Sequence, residues 1–385
     1  MKIYVDVSVL TLATYVTGIQ RVTMEILVRM IRERKNELIL LHYHGKDDCY
    51  YRIDHKLFIN YYAEGRGRKH KMITRQRVEI GEIGGGDVFF DLDAAWMGRV
   101  KRSYLLPILK KQGAKIIAHI YDVISLTHPQ YCLQRGVYYF MDYFGAHLQY
   151  ADCIITNAEA TVEELKKIAE KLKCQFPKCY VIPLGADFHL GGNVTEKDIT
   201  DTVRRAAEKP YVLMVGTIEP RKNHKLLLNA YDIGLKEIGY QIIFAGAMGW
   251  NMEDFSQKLK EHPDYQNGIF HFEGLDDRTI GYLYEHAKFL AFCSYTEGYG
   301  LPLIEGIMRG TPVLATDIPV SREVAGDYCE WFEQDNEQEM INIIKRYTEA
   351  PKEYEEWKER LKSFVCFSWD MSYEEYKKVL IGMDK

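Results

Sequence analysis

Apolar positions in the first half of the chain alternate between short strand-like runs and stretches at helical spacing. Residues 2–7 form an apolar run. After a loop, Ile19, Val22, Ile26 and Met30 recur at helical spacing, which predicts an amphipathic helix to about Arg34. Further strands are predicted at 37–42, 87–91, 115–121, 153–156 and 179–182. Thr161-Val162-Glu163-Glu164 has the form of a capping box opening a charged helix. Strands that alternate with helices predict a parallel sheet covered on both faces.

The rhythm breaks between residues 184 and 209. Leu184-Gly185-Ala186-Asp187 and Gly191-Gly192-Asn193 are turn sequences, and a polar stretch follows them. It then restarts more cleanly, with strands predicted at 211–215, 241–245, 269–272, 289–294 and 312–316. Helices are predicted at 223–231, 276–286 and 302–309. The pattern predicts an α/β protein of two doubly wound, Rossmann-like domains, residues 1–186 and 210–367, joined by a linker at 187–209. Ligands of such sheets lie beyond the carboxyl ends of the strands, so a cleft between the domains is the expected site.

Composition narrows the function without changing that picture. The 385 residues are 47% hydrophobic and 27% charged, ordinary for a folded chain, and the net charge is −5. That balance argues against a nucleic-acid partner held by bulk positive charge. No apolar run approaches the roughly 20 residues that span a bilayer, so a cytoplasmic chain is expected, at most attached to a membrane surface. The eight cysteines include no C-x-x-C pair, which disfavours both a zinc site and a disulfide framework. One local reversal of charge stands out, the run from Arg66 to Arg77, with six Lys or Arg and no acid. It reads either as a solvated loop or as a contact for anionic lipid or a lipid-diphosphate acceptor.

Candidate chemistry concentrates in two strand-to-helix loops of the second half. In the first, Ser294-Tyr295-Thr296-Glu297-Gly298-Tyr299-Gly300-Leu301-Pro302 follows an apolar strand and enters a helix with proline suited to its first turn. Amides at such a helix start have no intrahelical partner and lie at the positive end of the dipole, which favours an anion. Glu305 lies one turn inside, placed to accept hydrogen bonds from a vicinal diol such as a ribose. Glu297 precedes the loop, where sugar hydroxyls would come. The plainer alternative is a turn followed by an acidic first helical turn. The second loop, Val215-Gly216-Thr217-Ile218-Glu219-Pro220-Arg221-Lys222-Asn223, brings two cations that would neutralise a diphosphate without a metal. A solvated basic pair is the alternative there.

With these residues in view, the chain resembles the retaining glycosyltransferases of family 4, which have the GT-B fold. Glu297 and Glu305 match that family's E-x7-E motif, and the resemblance continues through Arg309-Gly310-Thr311-Pro312-Val313 and Arg322-Glu323-Val324-Ala325-Gly326-Asp327. It takes in Gly216 to Asn223 and, more loosely, most of the first half. The resemblance implies a nucleoside diphosphate-sugar held by the second domain and a saccharide or lipid-linked acceptor held mainly by the first. No cofactor and no metal are implied. Glu305 would bind the donor ribose, Glu297 the transferred sugar, and the amides of Gly298, Tyr299, Gly300 and Leu301 the sugar and phosphate. Arg221 and Lys222, with Gly216 beside them, would stabilise the departing diphosphate. Many members carry Arg where this chain has Thr217, so the clamp is expected to be shifted onto Arg221 and Lys222.

In the first half, Gly18 would be the loop glycine facing the donor phosphates, or else simply a helix-entry glycine. The stretch from His119 to Pro129 resembles a family segment with His-Asp where this chain has Tyr121-Asp122. Asp122 is the expected acceptor or sugar contact, and His119 is read as a core histidine. The closing segment 368–385 resembles the family's last helix, which packs back on the first domain, with Trp369 as an anchor.

Rival readings are weaker. Asp91-Leu92-Asp93 is a D-x-D triplet of the kind that chelates a metal in the other main transferase fold, but such triplets are common by chance. No G-x-G-x-x-G follows the first strand and no Walker A sequence occurs, while Gly84-Gly85-Gly86 reads as a simple loop. A transferase-like subunit that binds nucleotide sugar or a partner without turnover is the alternative from another class.

Overall fold

The computed structural model describes residues 1–13, 17–64, 72–187 and 199–383. The chain divides into two units, Met1–Gly185 with Phe367–Lys385, and Ala186–Cys366. Both are α/β units built on a central sheet, as the alternating pattern predicts. Among the described residues, no helix is long and apolar enough to cross a membrane.

Among its described residues unit 1 holds eight strands: β1 (Ile3–Asp6), β2 (Leu38–His44), β3 (Cys49–Ile53), β4 (Ile73–Val78), β5 (Val88–Asp91), β6 (Lys115–His119), β7 (Cys153–Thr156) and β8 (Lys178–Val181). Their order is β4-β3-β2-β1-β5-β6-β7-β8. The expectation of a wholly parallel sheet is corrected here, because β3 and β4 pair antiparallel at one edge. The cause is local. Only Gly45-Lys46-Asp47-Asp48 separates β2 from β3, too little chain for the crossover a parallel pair needs. Asp48 completes the turn at a φ of +50°. Of the basic run 66–77, residues 66–71 lie outside the described residues, while Arg75 and Arg77 stand on the edge strand β4.

The helix expected to open at Thr161 begins earlier, at Glu159. Thr161 therefore faces inward with Val162 and Leu165, where burial replaces the capping role. His119 is a core histidine. It is fully buried, stacked on Tyr121 at 3.9 Å, and hydrogen bonded to Asn157 at 2.8 Å and to the Tyr376 hydroxyl at 3.0 Å. Burial pushes its pKa down to about 3, so the ring is neutral. Tyr376 belongs to the closing helix Trp369–Gly382, which packs on the helix Gly18–Arg34, where Arg29 reaches Asp370 at 2.6 Å. Gly185 has no room for a side chain, since a Cβ there would lie 2.4 Å from the backbone nitrogen of Trp369.

The D-x-D carboxylates already have partners. Arg102 grips Asp91 with Nε and Nη2, both at 2.6 Å, and Nη2 reaches Asp6 at 3.0 Å. His147 lies 3.0 Å from Asp91. Asp93 accepts from the backbone amides of Leu10 and Ala94 at 2.7 and 2.8 Å. These contacts lock the ends of β1 and β5 to the helix Arg102–Lys111.

Unit 2 holds β9 (Tyr211–Val215), β10 (Gln241–Ala245), β11 (Ile269–Phe272), β12 (Phe289–Phe292), β13 (Val313–Thr316) and β14 (Cys329–Phe332), in the order β11-β10-β9-β12-β13-β14. Every pairing is parallel. Continuous apolar strands suit a sheet buried on both faces. The segment 187–209, expected as a linker, supplies the helix Asp201–Ala206, whose Val203 and Ala206 join the core of unit 2 with Ile199.

Candidate functional site

The order of strands in unit 2 creates the site. From β9 the chain passes to β10 on one side, while β12 lies on the other, so the loops leaving β9 and β12 open beside each other at a topological switch point. Backbone fastens them: the amide of Tyr295 donates to the carbonyl of Arg221 at 2.8 Å. Residues 75 positions apart in sequence thus meet, and the side chains follow.

Glu297 sits at the centre. Its Oε1 accepts from Lys222 Nζ at 2.9 Å and from the Ser294 hydroxyl at 2.8 Å, and its Oε2 lies 2.5 Å from Arg221 Nη1. Burial alone would raise the Glu297 carboxyl, but the charges of Arg221 and Lys222 outweigh it and bring the pKa down to about 2. The group is ionised at any working pH. Arg221 is held a second time, through Nε to the buried carboxylate of Glu219 at 2.7 Å, and Nη1 also donates to the carbonyl of Thr296 at 3.1 Å. Two cations therefore share two carboxylates, with the Arg221 side chain 20% exposed.

Glycines set the backbone around this cluster. Gly216 has a φ of +128°, and a Cβ there would come 3.3 Å from Cε of Lys222. Lys222 follows in the short turn Pro220–Lys222, and Asn223 takes the left-handed conformation before the helix His224–Ala230. Gly300, at a φ of +99°, precedes the helix Leu301–Met308. The amide end of that helix thus opens beside Glu297, with Gly298 and Tyr299 in the connecting loop. Thr217, in place of the family's arginine, packs its methyl against Gly249.

Glu305 is buried in the same helix, its Oε2 accepting from the Tyr284 hydroxyl at 2.8 Å. Tyr284 is held in turn by Thr311, whose hydroxyl donates to its carbonyl at 2.6 Å. The expected residues Gly216, Thr217, Arg221, Lys222, Glu297, Gly298, Tyr299, Gly300, Leu301 and Glu305 all belong to this one end of unit 2. Gly18 and Asp122 lie in unit 1. Gly18 is the first residue of its helix, behind a Thr17–Gln20 capping box. Asp122 follows β6 and accepts from the amide of Ile124 at 3.0 Å.

Sequence reasoning assigned no role to Glu219, Ser294 or Tyr284. An acid two positions before Arg221 was the available sign for Glu219. Nothing in the sequence ties Tyr284 to Glu305.

Comparison with known proteins agrees with this geometry. The sequence profile of the glycosyl transferases group 1 matches residues 196–364. A serotype-specific mannosyltransferase of Escherichia coli is 27% identical over 342 residues, covering 86% of this chain and 40% of the relative. The chain thus spans about two-fifths of the length of that relative. An O-antigen chain mannosyltransferase B of Escherichia coli is 25% identical over 333 residues, 81% of each chain. Among solved structures, HepE from Anabaena in complex with UDP and glucose superposes with a TM-score of 0.67, at 14% identity, over 99% of this chain and 100% of that one. At that identity the likeness shows the GT-B fold.

Proposed function

We propose that this chain, whose residues 196–364 match the glycosyl transferases group 1, moves a sugar from a nucleoside diphosphate-sugar to a hydroxyl of a saccharide or lipid-linked saccharide. The transfer retains anomeric configuration and serves cell-surface polysaccharide or glycolipid synthesis. Relatives named as mannosyltransferases support a mannosyl group, and the UDP and glucose bound to HepE support a nucleoside diphosphate-sugar donor.

The observation that carries this reading is the Arg221–Lys222–Glu297 cluster at the amide end of the helix Leu301–Met308. In the reaction the bond from the anomeric carbon to the diphosphate oxygen breaks with its electron pair. A bond to the acceptor oxygen forms as that hydroxyl passes its proton to the departing diphosphate oxygen. Negative charge grows on the diphosphate, where fixed cations and helix amides act as preorganised electrostatics. Arg221 and Lys222 are held at the mouth of the two loops before the donor arrives, and by exchanging a carboxylate contact for the diphosphate their charge serves where a metal otherwise would. Glu297, kept ionised, would accept from hydroxyls of the transferred sugar, and Glu305 with Tyr284 would hold the ribose. Gly18 and Asp122 are the proposed unit 1 contributions to phosphate and acceptor binding. For the basic run 66–77 we keep contact with anionic lipid as a proposal.

Calorimetric titration with UDP, GDP, dTDP and CDP in the presence of EDTA tests the reading. One nucleotide should bind, and Glu305→Ala should weaken it in a protein that remains folded. Folded protein that binds none of the four would overturn the donor site.

A further inference from the structure

We propose that the face of unit 1 formed by residues 96–104 and 133–141 docks on an anionic lipid bilayer. The proposal rests on the surface chemistry of unit 1 alone and is independent of the transferase reading. The segment after β5 and the start of the helix Gln134–Tyr150 enclose an open cavity of about 250 Å³, lined among others by Trp96, Met97, Arg99, Lys101, Arg135 and Tyr139. Beside it stand Met97, Tyr104, Tyr138 and Met141, all more than half exposed. Large apolar side chains clustered this way are not ordinary scatter on a surface.

The charges around them are unbalanced. Arg99, Lys101 and Arg135 are exposed, and none has a carboxylate within ion-pair distance among the described residues. Exposed cations elsewhere are commonly paired, as Arg322 is with Asp317 and Lys362 with Glu359. Here two of the three lean on rings instead, while Arg99 lies against Gly45. Lys101 Nζ lies 5.0 and 5.6 Å from the ring centres of Tyr138 and Tyr139, and the Arg135 guanidinium is 5.2 Å from that of Tyr139. Residues 94–141 hold a single acid, Asp122, although the whole chain has a net charge of −5; Asp142, which accepts from the Ser103 hydroxyl at 2.5 Å, borders the face.

Phosphate headgroups satisfy such cations, while Met, Tyr and Trp suit the interfacial layer just below them. A saccharide fits less well, because the carboxylates and amides that bind sugar hydroxyls are missing from the cavity lining. Exposed Met and Tyr side chains beside cations that lack a carboxylate partner among the described residues suit a lipid interface.

Flotation of the full chain with vesicles of phosphatidylcholine, alone or mixed with phosphatidylglycerol, tests this without nucleotide or acceptor. The mixed vesicles should bind the protein at low salt and release it at high salt. Arg99→Gln/Lys101→Gln/Arg135→Gln should lose about fivefold per cation, on the order of a hundredfold in all. Met97→Ser/Met141→Ser should weaken binding while keeping its salt dependence. Neutralising the six basic residues of 66–77 in addition should weaken binding further, since that run is a second proposed lipid contact. Equal binding by the triple variant overturns the proposal, as does a failure of wild type to bind the mixed vesicles. Displacement of the protein from vesicles by a soluble neutral polysaccharide would overturn it too, pointing to a saccharide site.

Discussion

In unit 1 Arg102 is gripped by Asp6 and Asp91, and in unit 2 Arg221 is gripped by Glu219 and Glu297. The ion pairs are similar in number and length, yet they are built into different places. Arg102 is 1% exposed, tied to two strand ends and ringed by His147 and the Tyr50 hydroxyl, which donates to Asp6 at 3.1 Å. Arg221 is 20% exposed, on a loop, with a second cation beside it and a helix start in front. Sealed charge has no free valence for a ligand and must serve the fold. Charge at the mouth of two loops can exchange a carboxylate for an incoming anion. Protonation does not separate the clusters: against the raising effect of burial, the cations hold Asp91 and Glu297 alike at about 2, while burial pushes Asp93, outside the Arg102 ion pairs, up to about 7.

The largest expected effect breaks the sealed side of the comparison. Arg102→Met keeps the bulk but leaves Asp6 and Asp91 as buried carboxylates without their cation, a loss of about 3–5 kcal/mol. Thermal denaturation should show unit 1 melting early, with nucleotide binding in unit 2 retained below that transition. A variant as stable as wild type would mean that Arg102 is not the keystone of those strand ends.

The next effect probes the open side. Lys222→Met should lower kcat about 10²–10³-fold, the usual cost of removing one donor to a developing anion. Its melting temperature should move little, because Arg221 still neutralises Glu297. A melting shift as large as that of Arg102→Met, with turnover intact, would erase the distinction between the two clusters.

How much of this was legible in the sequence differs between the two clusters. The loops of unit 2 were visible because glycine, proline and charge sit together between an apolar strand and a helix, and because Glu297 and Glu305 match a known motif. Their pairing was not. Arg221 and Glu297 meet only because β9 neighbours β12, an order set by how helices cover the sheet rather than by any local pattern. Hence the cations were read as facing a diphosphate, while the structure shows them engaged with Glu297 and Glu219. The Arg102 network was hidden for another reason. Its helix carries Pro107 inside it, which reads as a breaker, and Asp91 reads as half of a metal triplet. The antiparallel edge was missed because Tyr50, Tyr51 and Arg52 show no clean alternation, and only the short turn before them dictates the pairing.

The smallest expected effect sharpens the comparison at Glu219, which touches Arg221 and none of the reacting atoms. If Glu219 aims the guanidinium, the hydrogen bond from Arg221 Nε matters more than the negative charge. Glu219→Ala should then raise the donor KM about tenfold, in the range lost with one charged hydrogen bond. Glu219→Gln keeps an oxygen in the same place and should restore most of the affinity. It removes a negative charge near the diphosphate as well, so nucleoside diphosphate binding by the Gln variant should be no weaker than wild type. If Gln behaves as badly as Ala, the carboxylate acts through its charge, and Arg221 is balanced in the same way as Arg102. Titration of both variants with the nucleotide that wild type selects separates these outcomes, since neither substitution alters the contacts of Lys222 or Glu305.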